Sequence, residues 1–247
     1  RKLLVGGKEV TEENCNDVFN NGKVSYNFDT NTLTLNGYSY SGNCTERNKG
    51  RNGVIHYTGT GTETLTIVVN GSNTLINDPP EGTTAYGIYV KDANLTIQGS
   101  GTLDVIANGN NAVSTCGIFA GKTLTISGNC TINAEAIMDS DGESNRIYYW
   151  YAIGADTLNM TGGTVTATAN NHPNKDGSYA LIIDTISITG GSFTAKGYRA
   201  VCSRTPNKVS FGNGVTAVVS KDYEGTGTTD YQNSDSLSSN KYFHAST

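Results

Sequence analysis

Short runs in which apolar and polar residues alternate recur along most of the chain. The clearest run, Leu-Thr-Ile-Gln-Gly-Ser-Gly-Thr-Leu, occupies residues 95–103 and joins two alternating segments through a glycine-bearing bend. Related runs begin with an apolar residue at five other positions: Leu65, Leu124, Leu158, Ile186 and, more faintly, Val209. Successive copies start about 23 to 34 residues apart, a spacing that is typical of solenoid repeats.

In each repeat a second series of apolar residues, called here the second apolar line, precedes the alternating run described above. It runs through six triplets, at residues 53–55, 87–89, 117–119, 152–154, 180–182 and 200–202. Each repeat therefore holds three short strands, which leaves no room for a helix of ordinary length. We predict an all-β protein, a right-handed parallel β-helix in which one chain winds with three strands per coil through about 6–7 coils, stacked about 4.8 Å apart.

The alternation also predicts which side chains face the core of this solenoid. One predicted core column contains Leu65, Leu95, Leu124, Leu158 and Ile186. A second contains Ile67, Ile97, Ile126, Met160 and Ile188. The intervening residues are expected to face outward: Thr66, Thr96, Thr125, Asn159 and Ser187. Burying each aliphatic side chain contributes about 1.5 to 3 kcal/mol, so the columns stabilise the fold without a cofactor.

Both ends of the chain depart from the repeat. Residues 1–51 are predicted to form an N-terminal cap with the first coil, residues 52–219 the coils, and residues 220–247 a C-terminal cap or tail, all in one structural domain. Such caps cover backbone groups that an open coil would leave unpaired.

The N-terminal cap is expected to combine a strand, a helix and a hairpin. The strand lies at residues 3–5, and the helix runs from Thr11, as its N-cap, to Phe19. The hairpin pairs residues 24–26 with residues 32–35. At the other end, residues 241–244 are expected to return as a last strand.

Charge and composition narrow the classes of function. The net charge of −5 and a pI near 5.2 argue against nucleic acid or an anionic membrane as a partner. No apolar stretch approaches the length that spans a bilayer, so we expect no membrane insertion. Because the chain begins at Arg1 rather than Met, we expect its natural start, with any secretion signal, to have been removed.

The five cysteines show no metal-ligand spacing such as CxxC. Cys116, Cys130 and Cys202 stand at apolar or small positions of the repeat, which favours buried thiols. Cys15 and Cys44 could form a disulfide near the cap or remain reduced.

The connections after one strand of each repeat are long and variable, at residues 77–84, 108–115, 134–150 and 169–178. These loops are predicted to emerge along one edge, where a solenoid tolerates insertions and carries binding residues. On this edge Asn110, Asn111 and Asp176 are candidate ligand-binding residues. The alternative is that the loops vary without a function.

The longest insertion, at residues 134–151, combines acidic and aromatic residues. Asp139, Asp141 and Glu143 alternate around Gly142 and could provide oxygen ligands for Ca²⁺, although a solvated acidic turn is the alternative. The aromatic run Tyr148, Tyr149, Trp150 and Tyr151 could present flat ring faces to sugars or could pack under the loop.

Four segments of the chain carry a resemblance to a known family. They are the opening Leu3-Leu4-Val5-Gly6-Gly7-Lys8-Glu9-Val10-Thr11, the segment Asn31-Thr32-Leu33-Thr34-Leu35-Asn36, and the units Tyr86-Gly87-Ile88-Tyr89 and Leu95-Thr96-Ile97-Gln98-Gly99. With these segments the chain resembles bacterial secreted or cell-surface carbohydrate-binding domain-containing proteins. The predicted architecture is similar to the pectate-lyase-like superfold. This resemblance implies an extracellular or cell-surface protein and calcium-assisted binding of acidic polysaccharide.

Enzymes of this superfold are the main alternative. The polygalacturonase relatives carry an Asp-Asp pair and a Gly-His-Gly sequence, and this chain has neither. A lyase needs an Arg or Lys base beside Ca²⁺-binding carboxylates, for which Arg146 is the one loose candidate. We therefore expect a non-catalytic, monomeric adhesion module that binds a polysaccharide or other glycan, with calcium as a candidate cofactor. The alternatives are an adhesin stalk without a small ligand and a polysaccharide lyase or hydrolase.

Overall fold

A computed structural model describes residues 2–44, 52–110, 112, 114–139, 149–170, 177–202, 208–232 and 237–247. The strands are, in chain order, β1 (Lys2–Val5), β2 (Lys8–Glu9), β3 (Val24–Asn27), β4 (Thr32–Asn36), β5 (Ser39–Gly42), β6 (Asn52–Thr58), β7 (Thr64–Asn70), β8 (Ser72–Asn77), β9 (Ala85–Lys91), β10 (Asn94–Gly99), β11 (Thr102–Asn110), β12 (Ser114–Ala120), β13 (Thr123–Ile126), β14 (Thr131–Asp139), β15 (Tyr149–Met160), β16 (Thr164–Ala169), β17 (Ser178–Ile188), β18 (Ser192–Lys196), β19 (Arg199–Cys202), β20 (Lys208–Phe211), β21 (Thr216–Ser220), β22 (Thr229–Asp230) and β23 (Tyr242–Ser246). Within the described ranges the helical structure is a single 3₁₀ turn at Leu237–Ser239.

Parallel pairing stacks these strands into a β-solenoid of about five turns, which confirms the predicted all-β solenoid. One ladder runs through β6, β9, β12 and the first halves of β15 and β17 to β19. The next runs from β4 through β7, β10, β13 and the second halves of β15 and β17 to β20. A third joins β5, β8, β11, β14, β16 and β18. The predicted 6–7 coils are not confirmed.

The predicted core columns are confirmed residue by residue. Leu65 pairs in register with Leu95, which pairs in turn with Leu124, and the column continues through Leu158 and Ile186. All five side chains are fully buried. The faint copy at Val209 also follows in register with Ile186, so the repeat extends to β20.

Glycine allows the bends of successive coils to stack closely. Gly99 has a φ of 128°, and a Cβ there would lie 2.2 Å from the carbonyl oxygen of Val69 in the coil before. An L side chain is excluded at this bend both by its backbone conformation and by that contact.

The predicted helix at residues 11–19 is wrong, because this segment forms successive turns. The Thr11 N–H donates to the Asn14 side chain (2.9 Å), so Asn14 reaches back to Thr11 and Thr11 is not the N-cap of a helix. Asp17 accepts from the backbone N–H groups of Asn21 (3.0 Å) and Gly22 (2.8 Å). These short polar side chains satisfy the backbone locally and so compete with a helix.

The other elements expected at the ends are present. β3 and β4 form the predicted antiparallel hairpin, and β1 pairs antiparallel with β6. With no helix between them, the predicted strand–helix–hairpin cap is not confirmed. The expected last strand is β23, which pairs antiparallel with both β18 and β21.

All five cysteines are free thiols, so Cys15 and Cys44 are not bonded in this structure. Cys116 and Cys130 are buried, as predicted, whereas Cys202 is only half-buried. None of the helical structure in the described ranges is long and apolar enough to cross a membrane.

Candidate functional site

A groove of about 750 Å³ runs across the outer face of the first ladder, over β9, β12, β15, β17 and β19. Among the residues that the structure describes, five aromatic side chains line it: Tyr86, Phe119, Tyr149, Tyr151 and Tyr179. The strands that carry them are in register, with Tyr86 paired to Cys116, Cys116 to Tyr151, and Tyr151 to Tyr179. The parallel ladder therefore assembles one surface from residues that are far apart in sequence.

Contacts among aromatic rings of β6, β9 and β12 pack the end of the groove that is formed by the N-terminal coils. The rings of Tyr86 and Tyr89 lie 4.7 Å apart, and Tyr89 stacks on Phe119 at 5.3 Å. His56 meets Tyr89 edge-on at 5.1 Å. Tyr86, Tyr89 and Cys116 form an apolar cluster separate from the main core, so this outer face has its own packed floor.

Buried hydrogen bonds fix the strand that carries this floor. The Asn77 amide nitrogen donates to the carbonyl oxygen of Tyr86 (2.8 Å), and the Asn77 side-chain oxygen accepts from the N–H of Cys44 (3.2 Å). The floor is thereby tied to the preceding coil, which makes the groove a preformed feature.

Tyr151 crosses the middle of the groove. Burial raises its pKa far above the usual value, and the neighbouring thiol of Cys116 and hydroxyl of Tyr86 act in the same direction. Its hydroxyl is hydrogen-bonded to the side chains of Tyr86 and Ser114. The phenol therefore stays protonated over the whole physiological pH range and can act as a hydrogen-bond donor.

Two carboxylates border the aromatic rings. Asp156 and Asp184 line the groove, on β15 and β17. Their neighbours pair in register, Ala155 with Ile183 and Thr157 with Thr185, so the two aspartates stand side by side on adjacent strands. Ionised carboxylates accept hydrogen bonds only, which suits a ligand rich in hydroxyl groups.

The predicted aromatic run divides between two faces of β15. Tyr149 is 46% exposed and lines the groove together with Tyr151. Trp150 is fully buried in a small core cluster with Ala112, Ala136, Met138 and Ala169. Its Nε1–H donates to the carbonyl oxygen of Asn170 (3.2 Å). The expectation that Trp150 presents a face to a sugar is therefore corrected: alternate residues of a strand point to opposite faces, and this ring packs inside.

The remaining predicted site residues lie at or beyond the edge of what the structure describes. Tyr148, Asn111, Asp141, Glu143 and Asp176 are outside the described residues. Asp139 is the last residue of β14 and its side chain is not described. Asn110 is exposed at the end of β11, and its carbonyl oxygen accepts from Gly82 N–H (2.7 Å).

The calcium prediction is not tested by this part of the chain. Among the described residues there is no group of three or more His, Cys, Asp or Glu side chains that could hold a metal ion. The acidic run at residues 139–143 falls almost wholly outside them.

Sequence reasoning missed Tyr86, Phe119, Tyr179, Asp156 and Asp184. The signal was available for the two tyrosines, because Tyr86 and Tyr179, like Tyr151, each stand directly before a triplet of the second apolar line. These three tyrosines form a column on the groove side of the strands, beside the core positions of that line.

No protein-family model matches the chain, and searches of curated proteins and of solved structures find no match either. The groove and its chemistry are therefore the basis on which a function can be inferred.

Proposed function

We propose that this protein is a non-catalytic carbohydrate-binding module whose binding face is the aromatic groove. The observation that supports this function is the row of rings on successive coils, with Tyr149 and Tyr151 beside the carboxylates of Asp156 and Asp184. Flat amphipathic rings can stack on the apolar faces of sugar rings, while the carboxylates and phenols bind their hydroxyl groups.

The shape of the groove favours an extended ligand over a small one. Each of β9, β12, β15 and β17 contributes at least one of these aromatic residues, and neighbouring strands lie about 4.8 Å apart, so a polysaccharide chain that crosses the coils could contact them in turn. A polysaccharide or other glycan chain is therefore the proposed partner.

Several finer features belong to the same proposal. The solenoid is right-handed, since crossover connections between parallel strands are overwhelmingly right-handed. The protein is monomeric and acts outside the cell or at its surface, as the resemblance to bacterial carbohydrate-binding domain-containing proteins of pectate-lyase-like architecture implies. Calcium bound by Asp139, Asp141 and Glu143 assists binding by ordering the neighbouring loop.

A titration of neutral and acidic oligosaccharides against two exposed-aromatic variants tests the groove. Tyr149→Ala removes a ring that lines it, and we expect affinity to fall about three- to tenfold. Phe28→Ala is the matched control, because Phe28 is also exposed (38%) but packs on Tyr26 in the N-terminal hairpin. If the two variants bind the oligosaccharides with equal affinity, the groove is not the binding face. If the native protein binds no glycan at all, the alternative of an adhesin stalk without a small ligand is favoured.

Polysaccharide hydrolysis is the second candidate function, because Asp156 and Asp184 lie side by side in the groove. Paired carboxylates are the usual acid and base, or acid and nucleophile, of glycoside hydrolysis. New reducing ends, released by the native protein and lost in Asp156→Asn and Asp184→Asn, would establish an enzyme. Unsaturated products would indicate a lyase, and glycan binding without either product supports the module.

A further inference from the structure

A second cavity, of about 540 Å³, lies toward the C-terminal end of the solenoid and gathers positive charge. The described residues that line it are Tyr198, Arg199, Lys221, Ser238, Ser239 and Lys241. The chain as a whole carries 22 acidic residues and 17 lysines and arginines, yet the described residues of this lining include three cations and no carboxylate. The cavity is therefore an electropositive site in an acidic protein.

Neutral groups hold the three cations in place. The Lys221 ammonium donates to the carbonyl oxygen (2.8 Å) and hydroxyl (2.9 Å) of Ser239. The Lys241 ammonium lies 5.6 Å from the ring centre of Tyr198, and the Arg199 guanidinium lies 6.0 Å from that of Tyr179. Such partners orient a cation without cancelling its charge.

The carboxylates that the structure describes compensate little of this charge. Among the described residues none of the three cations forms an ion pair, whereas Lys91 and Lys196 do. Asp222 follows Lys221 in the chain, and its pKa is lowered chiefly by the backbone N–H groups of Glu224 and Thr226, with a smaller contribution from Lys241. An anion entering the cavity would therefore meet charged donors with unused capacity.

The backbone around the cavity brings these residues together from three separate segments. The N–H of Ala200 donates to the carbonyl oxygen of Asn240 (2.6 Å), and the N–H of Lys241 donates to that of Ser220 (3.0 Å). Arg199, Lys221 and Lys241 each adjoin one of these bonded residues. Their relative positions are thus set by hydrogen-bonded backbone, which favours a preformed binding site.

The cavity adjoins the aromatic groove. Arg199 pairs in register with Tyr179, a lining residue of the groove, and its guanidinium faces that ring. We propose that this cavity binds an oxyanion, a carboxylate or a sulfate ester, carried by the glycan that lies in the groove. The planar guanidinium of Arg199 matches two oxygens of either group, and the two lysines add point charges. The glycan part of this inference rests on the proposed function, whereas the oxyanion site does not.

The first test measures the site without any glycan. Inorganic sulfate is titrated into the native protein and followed by backbone amide NMR, with chloride at the same ionic strength as the reference. Sulfate should shift the amide signals of Arg199, Lys221, Ser239 and Lys241 saturably, and chloride should not. Arg199→Gln and Lys221→Gln should each weaken sulfate binding about tenfold.

Lys23→Gln is the matched control for charge, because Lys23 is exposed at the other end of the molecule. It should bind sulfate like the native protein. If Lys23→Gln weakens binding as much as Arg199→Gln does, sulfate responds only to overall charge and the site does not exist. The absence of a saturable, localised response in the native protein overturns the inference as well.

The second test compares three forms of one oligosaccharide: neutral, carboxylated and sulfated. A charged form should bind about tenfold more tightly than the neutral form, and Arg199→Gln should remove the difference. Whichever charged form is preferred identifies the source of the oxyanion. Equal binding of all three forms overturns the assignment of this cavity to the glycan while leaving the groove intact. Sulfate binding in a protein that binds no glycan would instead refute the proposed function and retain the oxyanion site.

Discussion

The ring of Tyr151 lies directly against the backbone of Gly154, three residues further along β15. A Cβ on Gly154 would stand 2.6 Å from Cε2 of that ring and 3.3 Å from Cδ2 of Phe119. Contacts of 2.6 Å require one group to move. The middle of the groove therefore depends on the absence of a side chain at residue 154.

Gly154→Ala should displace the Tyr151 ring and reduce glycan affinity. Overpacking of this kind also costs about 1 to 3 kcal/mol of unfolding free energy, measurable by chemical denaturation. Combining it with Tyr151→Ala removes the clash, so the double variant should be more stable than the sum of the two single effects predicts. Strict additivity would mean that the ring does not rest on Gly154.

Trp150→Phe should destabilise the protein by about 1 to 3 kcal/mol, because it removes buried volume and one of the two side-chain donors to the carbonyl oxygen of Asn170, the other being the hydroxyl of Ser178 (2.9 Å). Trp150 is the only tryptophan, so native fluorescence should have the short-wavelength emission of a buried indole. The control, Tyr149→Phe, alters an exposed ring and should change stability by less than about 0.5 kcal/mol. Emission typical of a solvated indole would contradict the buried position.

Leu95→Ala should cost about 2 to 5 kcal/mol, because Leu95 is fully buried between Leu65 and Leu124 and its truncation leaves a cavity. Its neighbour Thr96 is only half-buried in the outward ladder, so Thr96→Ala should cost about 0.5 kcal/mol or less. Denaturation of both variants by urea measures the difference. Equal losses would contradict the assignment of inward and outward columns.

Glu63 should make stability depend on pH in acid. Its own backbone N–H and the hydroxyl of Thr60 lower its pKa from 4.5 to about 2. A carboxyl with a lowered folded-state pKa stabilises the protein above its unfolded pKa, and this contribution is lost as pH falls from about 4.5 through 2. The stability difference between native protein and Glu63→Gln should therefore shrink over that window. A difference that is constant with pH would rule out this role.

Calcium should raise the melting temperature of the native protein, and chelation should reverse the effect. At 100 times the dissociation constant the stabilisation is about 2.7 kcal/mol. The Asp139→Asn, Asp141→Asn double variant should show no response. A double variant that responds like the native protein would make the acidic run a solvated turn.

The sequence by itself determined the solenoid and its core columns. A strand alternates with period two, and the repeat recurs at nearly constant spacing, so local pattern alone aligned Leu65, Leu95 and Leu124. It did not determine the segment at residues 11–19, where Asn14 and Asp17 bond to nearby backbone in turns that a helix pattern does not reveal.

Only the tertiary structure decided where the candidate sites lie. The sequence identified an aromatic run, but stacking against neighbouring coils decided that Trp150 faces a core cluster while Tyr149 and Tyr151 face a groove. The groove and the basic cavity each draw their residues from separate segments, such as Arg199, Lys221 and Lys241. Parallel pairing repeats with the coil and leaves a periodic signal, as in Tyr86, Tyr151 and Tyr179, whereas the backbone hydrogen bonds that bring the segments of the basic cavity together leave none.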